Sequence, residues 1–411
     1  MTKISLAGLA STQSRGRRPL PPGAVSARTL RATGVWEDVE FVYADGHTEV
    51  KELLTWVVGQ AGLLFGAPDE RTLLTFNGTY PLTEAIESAG SNIPGSYGHG
   101  HEYALADALS TVFDGLLTSD DLAVRFFQNG GDSCAAAVRV ARAVTGREPI
   151  ASQGYHGAQT DFSHEPGNLG YPGYAERGHY RFECYDPRTE PEWKAHSRLF
   201  YCAEKCACLM VEVPPVEDEA ARLWLSVCRA ACDHNNIPLI FDDVVLGFRL
   251  ALGGTAEYYG VKPDMICLGK AMCATGGVSA LIGRADMVGR LGTDVFYSTT
   301  FGGAPGPCAV AAATVRWLLA NRDTVYGEAG HLRRIGQALK DGYNALGIKC
   351  IGQPERSVFA FPSDDEWLAF CSRMIGAGYM VHRPNFPTLV HTLSDVEETL
   401  AAARKVSTNV V

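Results

Sequence analysis

Between about Arg71 and Gly303, short apolar runs alternate with longer amphipathic stretches. VRFFQN is followed by DSCAAAVRVARAV, and CLMVEV by EDEAARLWLSVCRAACDHN; the runs PLIFDDV, MICLG and SALIG come after them. This alternation predicts an α/β architecture, a mostly parallel sheet covered by helices on both faces. Ligands of such sheets sit at the carboxyl ends of the strands. The first 70 residues read differently, with a strand-turn-strand pattern at FVYADGHTEV and Asp45-Gly46 as its turn. Toward the C-terminus come helical AAATVRWLLAN and HLRRIGQALKDGYNALG, strand-like CIGQPERSVFAFP and a final helix, SDVEETLAAARKV. The pattern therefore predicts a large domain over 71–303, with 1–70 and 304–411 combining into a smaller α+β domain.

Composition narrows the function classes. With 411 residues, 46% hydrophobic and 20% charged, the chain has the balance of a soluble globular enzyme. Asp and Glu outnumber Lys and Arg, 46 to 36, so no broad positive surface is available for nucleic acid. The basic group Arg15, Arg17 and Arg18 reads as a solvated N-terminal stretch. No apolar run reaches the roughly 18 residues of a membrane span and no signal-peptide core is present, so a cytoplasmic protein is expected. Twelve cysteines in a chain of this length read as reduced, buried thiols. Cys202, Cys206, Cys208, Cys228, Cys232 and His234 come nearest to a zinc set. Their spacing lacks a paired C-x2-C and CACLMVEV reads as a buried strand, so no metal is expected.

The chemistry concentrates at the predicted strand ends. PLIFDDV ends in Asp242-Asp243, whose side chains point to opposite faces of a strand, and MICLG leads to Lys270. One amine to hold an aldehyde as a Schiff base and one carboxylate to keep a pyridine nitrogen protonated are what pyridoxal 5'-phosphate (PLP) requires. Gln128-Asn129-Gly130-Gly131-Asp132-Ser133 leads from a strand into an alanine-rich helix and suits a phosphate; in isolation it reads rather as a tight turn with Asp132 capping the helix, and the neighbouring segments shift that reading. Gly154-Tyr155-His156-Gly157 puts an aromatic ring and an imidazole at another strand end, where Tyr155 can stack on a ring. Ser298-Thr299-Thr300-Phe301-Gly302-Gly303 offers hydroxyls in a glycine-rich turn.

Taken together, these segments resemble the class III aminotransferases of PLP fold type I, and among them most closely the glutamate-1-semialdehyde aminomutase branch. The resemblance runs from PPGAVSARTLR through NGGDSCAAAVRVARAVTGR and GYHG to FDDVVLGFRLALGGTAEYYGVKPDMICLGKAMCATGGVSALIGRADM. It implies that Lys270 forms the Schiff base and later moves the substrate proton, and that Asp242 pairs with the ring nitrogen. Val244 and Tyr155 would pack on opposite ring faces, with His156 and Glu212 nearby. Gly130, Gly131 and Asp132 would bind the phosphate through their backbone, helped by Ser133. Thr300 would reach the phosphate of a neighbouring subunit, which implies a homodimer, and Arg28 would meet a substrate carboxylate. The chain departs from the family at Asp243, where glutamate is usual, and at Asp132, where threonine or serine is usual. It departs again at Ala271–Gly277 beside the substrate space and at the FGGAP loop after Thr300.

The activity so implied is an aminotransferase or aminomutase acting on a small amino compound with a carbonyl acceptor. A racemase, epimerase or decarboxylase of the same fold is the alternative, and a PLP-binding protein without turnover a more remote one.

Overall fold

Three antiparallel-paired strands open the chain: β1 (Ala24–Thr33), β2 (Trp36–Tyr43) and β3 (Thr48–Thr55). Asp45-Gly46 turns β2 into β3, with Gly46 at φ +88° and its N–H donating to the Tyr43 carbonyl at 3.0 Å. The computed structural model describes residues 24–33, 36–43, 45–55, 98–157, 179–182, 199–201, 203–273 and 277–407. Arg15, Arg17, Arg18, Cys202 and residues 274–276 of the stretch after Lys270 lie outside them. The chain forms two units, one of 60–62 and 79–330, the other of 1–59, 63–78 and 331–411.

In the larger unit, strands β4 (Leu122–Phe127), β5 (Ile150–Gln153), β6 (His179–Arg181), β7 (Leu209–Val211), β8 (Leu239–Asp243), β9 (Met265–Leu268) and β10 (Ser279–Arg284) form a sheet of order β4-β10-β9-β8-β7-β5-β6. From β9 across to β6 the neighbours are parallel; β10 runs antiparallel to both β9 and β4. The reversal at β10 has a simple cause. Only the ten residues 269–278 separate β9 from β10, fewer than the dozen or more that a parallel crossover requires. As a result Ser279 enters the sheet beside the carboxyl end of β9. Strands β5, β7, β8 and β9 are buried throughout, which is why they read as unbroken apolar runs.

Helices α1 (Gly100–Phe113), α2 (Gly130–Thr145), α3 (Asp218–Asn235) and α4 (Pro305–Ala320) belong to this unit. Ala136, Ala137 and Ala141 let α2 lie close to the sheet, in a core with Ile240, Met265, Cys267 and Leu281. Full burial of an Ile- or Leu-sized side chain there contributes about 1.5–3 kcal/mol. Residues 304–330 fall in this unit because α4 packs its buried Cys308, Ala311, Ala312 and Val315 face beside α1.

The smaller unit joins N- and C-terminal segments: β13 (Tyr379–Met380) pairs parallel with β3, extending the β1-β2-β3 sheet. Strands β11 (Cys350–Ile351), β12 (Ser357–Phe359) and β14 (Pro384–Asn385) form a second small sheet. Helices α5 (His331–Ala345), α6 (Asp364–Gly376) and α7 (Leu393–Ser407) complete the unit. Tyr343, Phe359, Trp367 and Phe370 fill its core. No helix among the described residues is long and apolar enough to cross a membrane.

Candidate active site

Strand alternation at the end of β8 separates two buried carboxylates. Asp242 takes one face: the imidazole Nδ1 of His156 donates to its Oδ2 at 2.7 Å, and the Val244 N–H donates to its Oδ1 at 3.2 Å. Asp243 takes the other face, accepting the backbone N–H of Thr255 at 2.8 Å as well as its hydroxyl. Burial pushes the Asp243 carboxyl up to about 7, against the pull of those two donors. The two carboxylates thus serve different ends. Asp243 ties the chain after β8 back to Thr255, while Asp242 is braced toward the carboxyl edge of the sheet. Asp242 and Cys267 are register partners there, and Lys270 follows just beyond β9.

At the start of α2 the N-cap is Asn129, whose Oδ1 accepts the Asp132 N–H at 3.2 Å. The Asp132 amide that is expected to bind phosphate is the one this cap accepts. Burial raises the Asp132 carboxyl pKa, opposed by the Asn129 backbone N–H, so residues 129 and 132 satisfy each other in the manner of a capping box. The Ser133 hydroxyl likewise donates within the turn, to the Gly130 carbonyl at 2.8 Å. The first-turn amides of Gly130 and Gly131 precede any intrahelical acceptor, the arrangement that suits an anion at a helix start.

Two glycines permit close approaches that fix the site. A Cβ on Gly130 would lie 2.6 Å from Val244 Cγ1, so only glycine lets Val244 lean on the helix start. The same Val244 methyl lies 3.3 Å from where a Cβ of Gly269 would be, so this one side chain spans the helix start and the residue before Lys270. Gly154 adopts φ +105°, and a Cβ there would lie 2.6 Å from Glu212 Cβ. Glu212 Oε2 accepts the Tyr155 N–H at 3.1 Å, which sets the turn presenting Tyr155 and His156.

Lys270 is half-buried at the first position of the 3₁₀ turn, with φ +41°. A non-glycine residue held in this left-handed region costs of order 1–3 kcal/mol and marks a position fixed by its surroundings. Sequence reasoning did not anticipate that strain. It also missed Ser279, whose hydroxyl donates to the Asn129 carbonyl at 2.6 Å and tethers the helix start. No local signal betrays that tether, because the partners meet only through the antiparallel β10.

Two further expected residues lie on other elements. Thr300 is exposed, on a loop that Gly302 packs against β4: a Cβ at Gly302 would lie 2.9 Å from the Phe126 carbonyl oxygen. Tyr297 braces that loop, its ring 5.4 Å from Phe127 and 4.8 Å beneath the Arg139 guanidinium. Arg28 lies on β1 of the smaller unit, its side chain outside the described residues. Cys206, Cys208, Cys228 and Cys232 are buried thiols. Among the described residues, the donor atoms that gather closely enough for a metal are those of Cys134, His156 and Asp242 instead.

The residues gathered here fit PLP: a buried, braced carboxylate for a ring nitrogen, an amine at the next strand end, and a glycine cradle at Gly130 that a Cβ would fill. Residues 204–350 match the family model for aminotransferase class III. The chain is 29% identical over 323 residues to a glutamate-1-semialdehyde 2,1-aminomutase of Methanopyrus kandleri, covering 67% of this chain and 71% of that one. It is 30% identical over 313 residues to an aminopentol aminotransferase of Sphingopyxis macrogoltabida, covering 72% of this chain and 71% of that one. The chain belongs to the class III aminotransferases. This aminotransferase is a PLP-dependent enzyme of amino-group transfer or shift. Its fold is that of the PLP internal aldimine form of the Sphingopyxis sp. MTA144 FumI protein, with TM-score 0.72 and 24% identity over 96% of this chain and 91% of that one. It is also that of an omega-transaminase from Sphaerobacter thermophilus, with TM-score 0.73 and 20% identity over 96% and 93%. The mostly parallel sheet is therefore that of PLP fold type I.

Proposed function

We propose that this aminotransferase acts on a small amino compound and a carbonyl acceptor, or shifts an amino group within one molecule, with Lys270 and Asp242 as its catalytic pair. The supporting observation is the buried Asp242–His156 pair at the sheet edge that also ends in the strained Lys270. PLP supplies an aldehyde that takes up an amino group and a ring that draws off the electron pair of a broken C–H bond. Lys270 is the amine that would anchor that aldehyde, and its nitrogen would hold and move the proton at the substrate carbon bearing nitrogen. Asp242, braced by His156 and the Val244 N–H, holds a proton on the ring nitrogen. Buried from water, its charge acts at greater strength than in solvent.

Val244 and Tyr155 confine the ring from its two faces, with Glu212 setting the Tyr155 turn. The backbone amides of Gly130, Gly131 and Asp132 would bind the phosphate, helped by Ser133. Thr300, exposed on its own chain, reaches the phosphate held by a second subunit of a homodimer. Arg28 takes a substrate carboxylate. In the purified protein, a visible absorption band fixed by borohydride onto Lys270, and shifted by particular amines, is the expected result. Full turnover in Lys270→Ala would overturn the assignment.

A further inference from the structure

Cys134, His156 and Asp242 bring a thiol sulfur, an imidazole nitrogen and a carboxylate oxygen within 4.8 Å of one another, all three residues buried. They come from three separate elements: the first turns of α2, the loop after β5 and the end of β8. The reaction proposed above uses Asp242 and His156 but gives Cys134 no part. We propose that this triad is a binding site for a thiophilic divalent cation of the zinc class, and that such a cation competes with the cofactor for Asp242.

Donor chemistry selects the ion. Sulfur, imidazole nitrogen and carboxylate oxygen together form a zinc-type ligand set, and three protein ligands leave a fourth position open. Charge supports the same choice: one thiolate and one carboxylate neutralise a divalent ion while the imidazole stays neutral. The filled site then carries no net charge, as a buried position requires. Geometry sets what must move. With metal–sulfur and metal–nitrogen bonds of about 2.3 and 2.0 Å, tetrahedral donors lie about 3.5 Å apart, so the thiol has to close by about 1 Å while the 2.7 Å His156–Asp242 hydrogen bond opens and its proton leaves the ligating nitrogen. A second thiol, Cys267, touches Cys134 and is the register partner of Asp242, which makes it the nearest candidate for the fourth position. The competition rests on the cofactor reading above; the metal site itself does not.

The test uses the full-length protein stripped of cofactor and titrated with cadmium, whose thiolate complexes absorb in the ultraviolet by charge transfer. One equivalent is expected to raise that band. Cadmium at roughly ten times its dissociation constant is expected to raise the apparent cofactor dissociation constant about tenfold, read from the visible band of PLP, with a chelator reversing it. Cys134→Ala is expected to lose both the band and the competition while still taking up the cofactor. Cys134→Ser, which keeps the volume and the fold, is expected to do the same. Absence of the band, or a band and competition retained in both variants, overturns the proposal. Cadmium bound through Cys134 in a protein that never takes up PLP supports the metal site and defeats the reading of the function.

Discussion

The ring end of the site and the turn at Ser298–Gly303 differ in how much of each their own chain completes. At the ring end, Asp242 is 3% exposed and His156 1%, and both carboxylate oxygens of Asp242 accept hydrogen bonds from within the larger unit. At the turn, Phe296 is 84% exposed, Phe301 60%, and Thr300 faces solvent. A carboxylate that must stay charged in a dry interior needs its donors built in, because a missing one leaves a buried charge unsatisfied. A hydroxyl that contributes one donor to a phosphate carries no such requirement, and a second subunit can supply it. Under the homodimer proposed above, the contrast separates the part of the site built within one chain from the part that a second subunit would complete.

Substitutions at the two ends are the most direct way to break this contrast. Asp242→Asn is expected to lower kcat by about 10²–10³-fold, the scale of removing a buried electrostatic partner, and to lower the melting temperature because one amide oxygen cannot serve both donors, His156 and the Val244 N–H, and the amide nitrogen then faces one of them. Thr300→Ala is expected to weaken cofactor binding about tenfold, the cost of roughly one charge-assisted hydrogen bond, with the melting temperature of the cofactor-free protein unchanged. Equal losses of melting temperature in the two variants would erase the distinction. Mixing the Lys270→Ala and Thr300→Ala proteins sharpens it further. If Thr300 serves the partner's site, each hybrid dimer regains one site of wild-type cofactor affinity; if it serves its own, none does.

Smaller effects are expected from the residues that shape the ring end. Gly154→Ala places a side chain at φ +105° and against Glu212, and is expected to cost of order 1–3 kcal/mol in urea unfolding. Asp243→Asn tests the face that the chemistry does not use. Burial raises the Asp243 pKa from the ordinary 3.8 to about 7, so the folded chain holds this proton more tightly than the unfolded one. Its contribution to stability therefore falls as pH rises from about 4 to about 7. Melting temperatures measured across that range are expected to show the decline in the wild type and a flatter profile in Asp243→Asn.

The placement of Asp242 and Lys270 at strand ends was legible in the sequence, because apolar runs reveal strand ends. The opposite facing of Asp242 and Asp243 was equally legible, since a strand alternates. That Asn129 rather than Asp132 caps the helix was not, since either residue type suits an N-cap. The pairing of Asp243 with Thr255 depends on how the chain turns after β8, which no short-range pattern encodes. The left-handed backbone of Lys270 was illegible for a similar reason, because lysine carries no preference for that conformation and the surroundings impose it. Residues 304–330 read as part of the C-terminal segment because a helix pattern shows an apolar face without showing which neighbour covers it.

The measurement that bears most directly on the central claim is the visible absorption spectrum of the purified protein, taken before and after borohydride and set beside Lys270→Ala. The account predicts a yellow protein in which borohydride fixes the cofactor to a peptide containing Lys270, with no such linkage in Lys270→Ala. A colourless protein that added PLP cannot reconstitute, or reduction onto a different lysine, would contradict it.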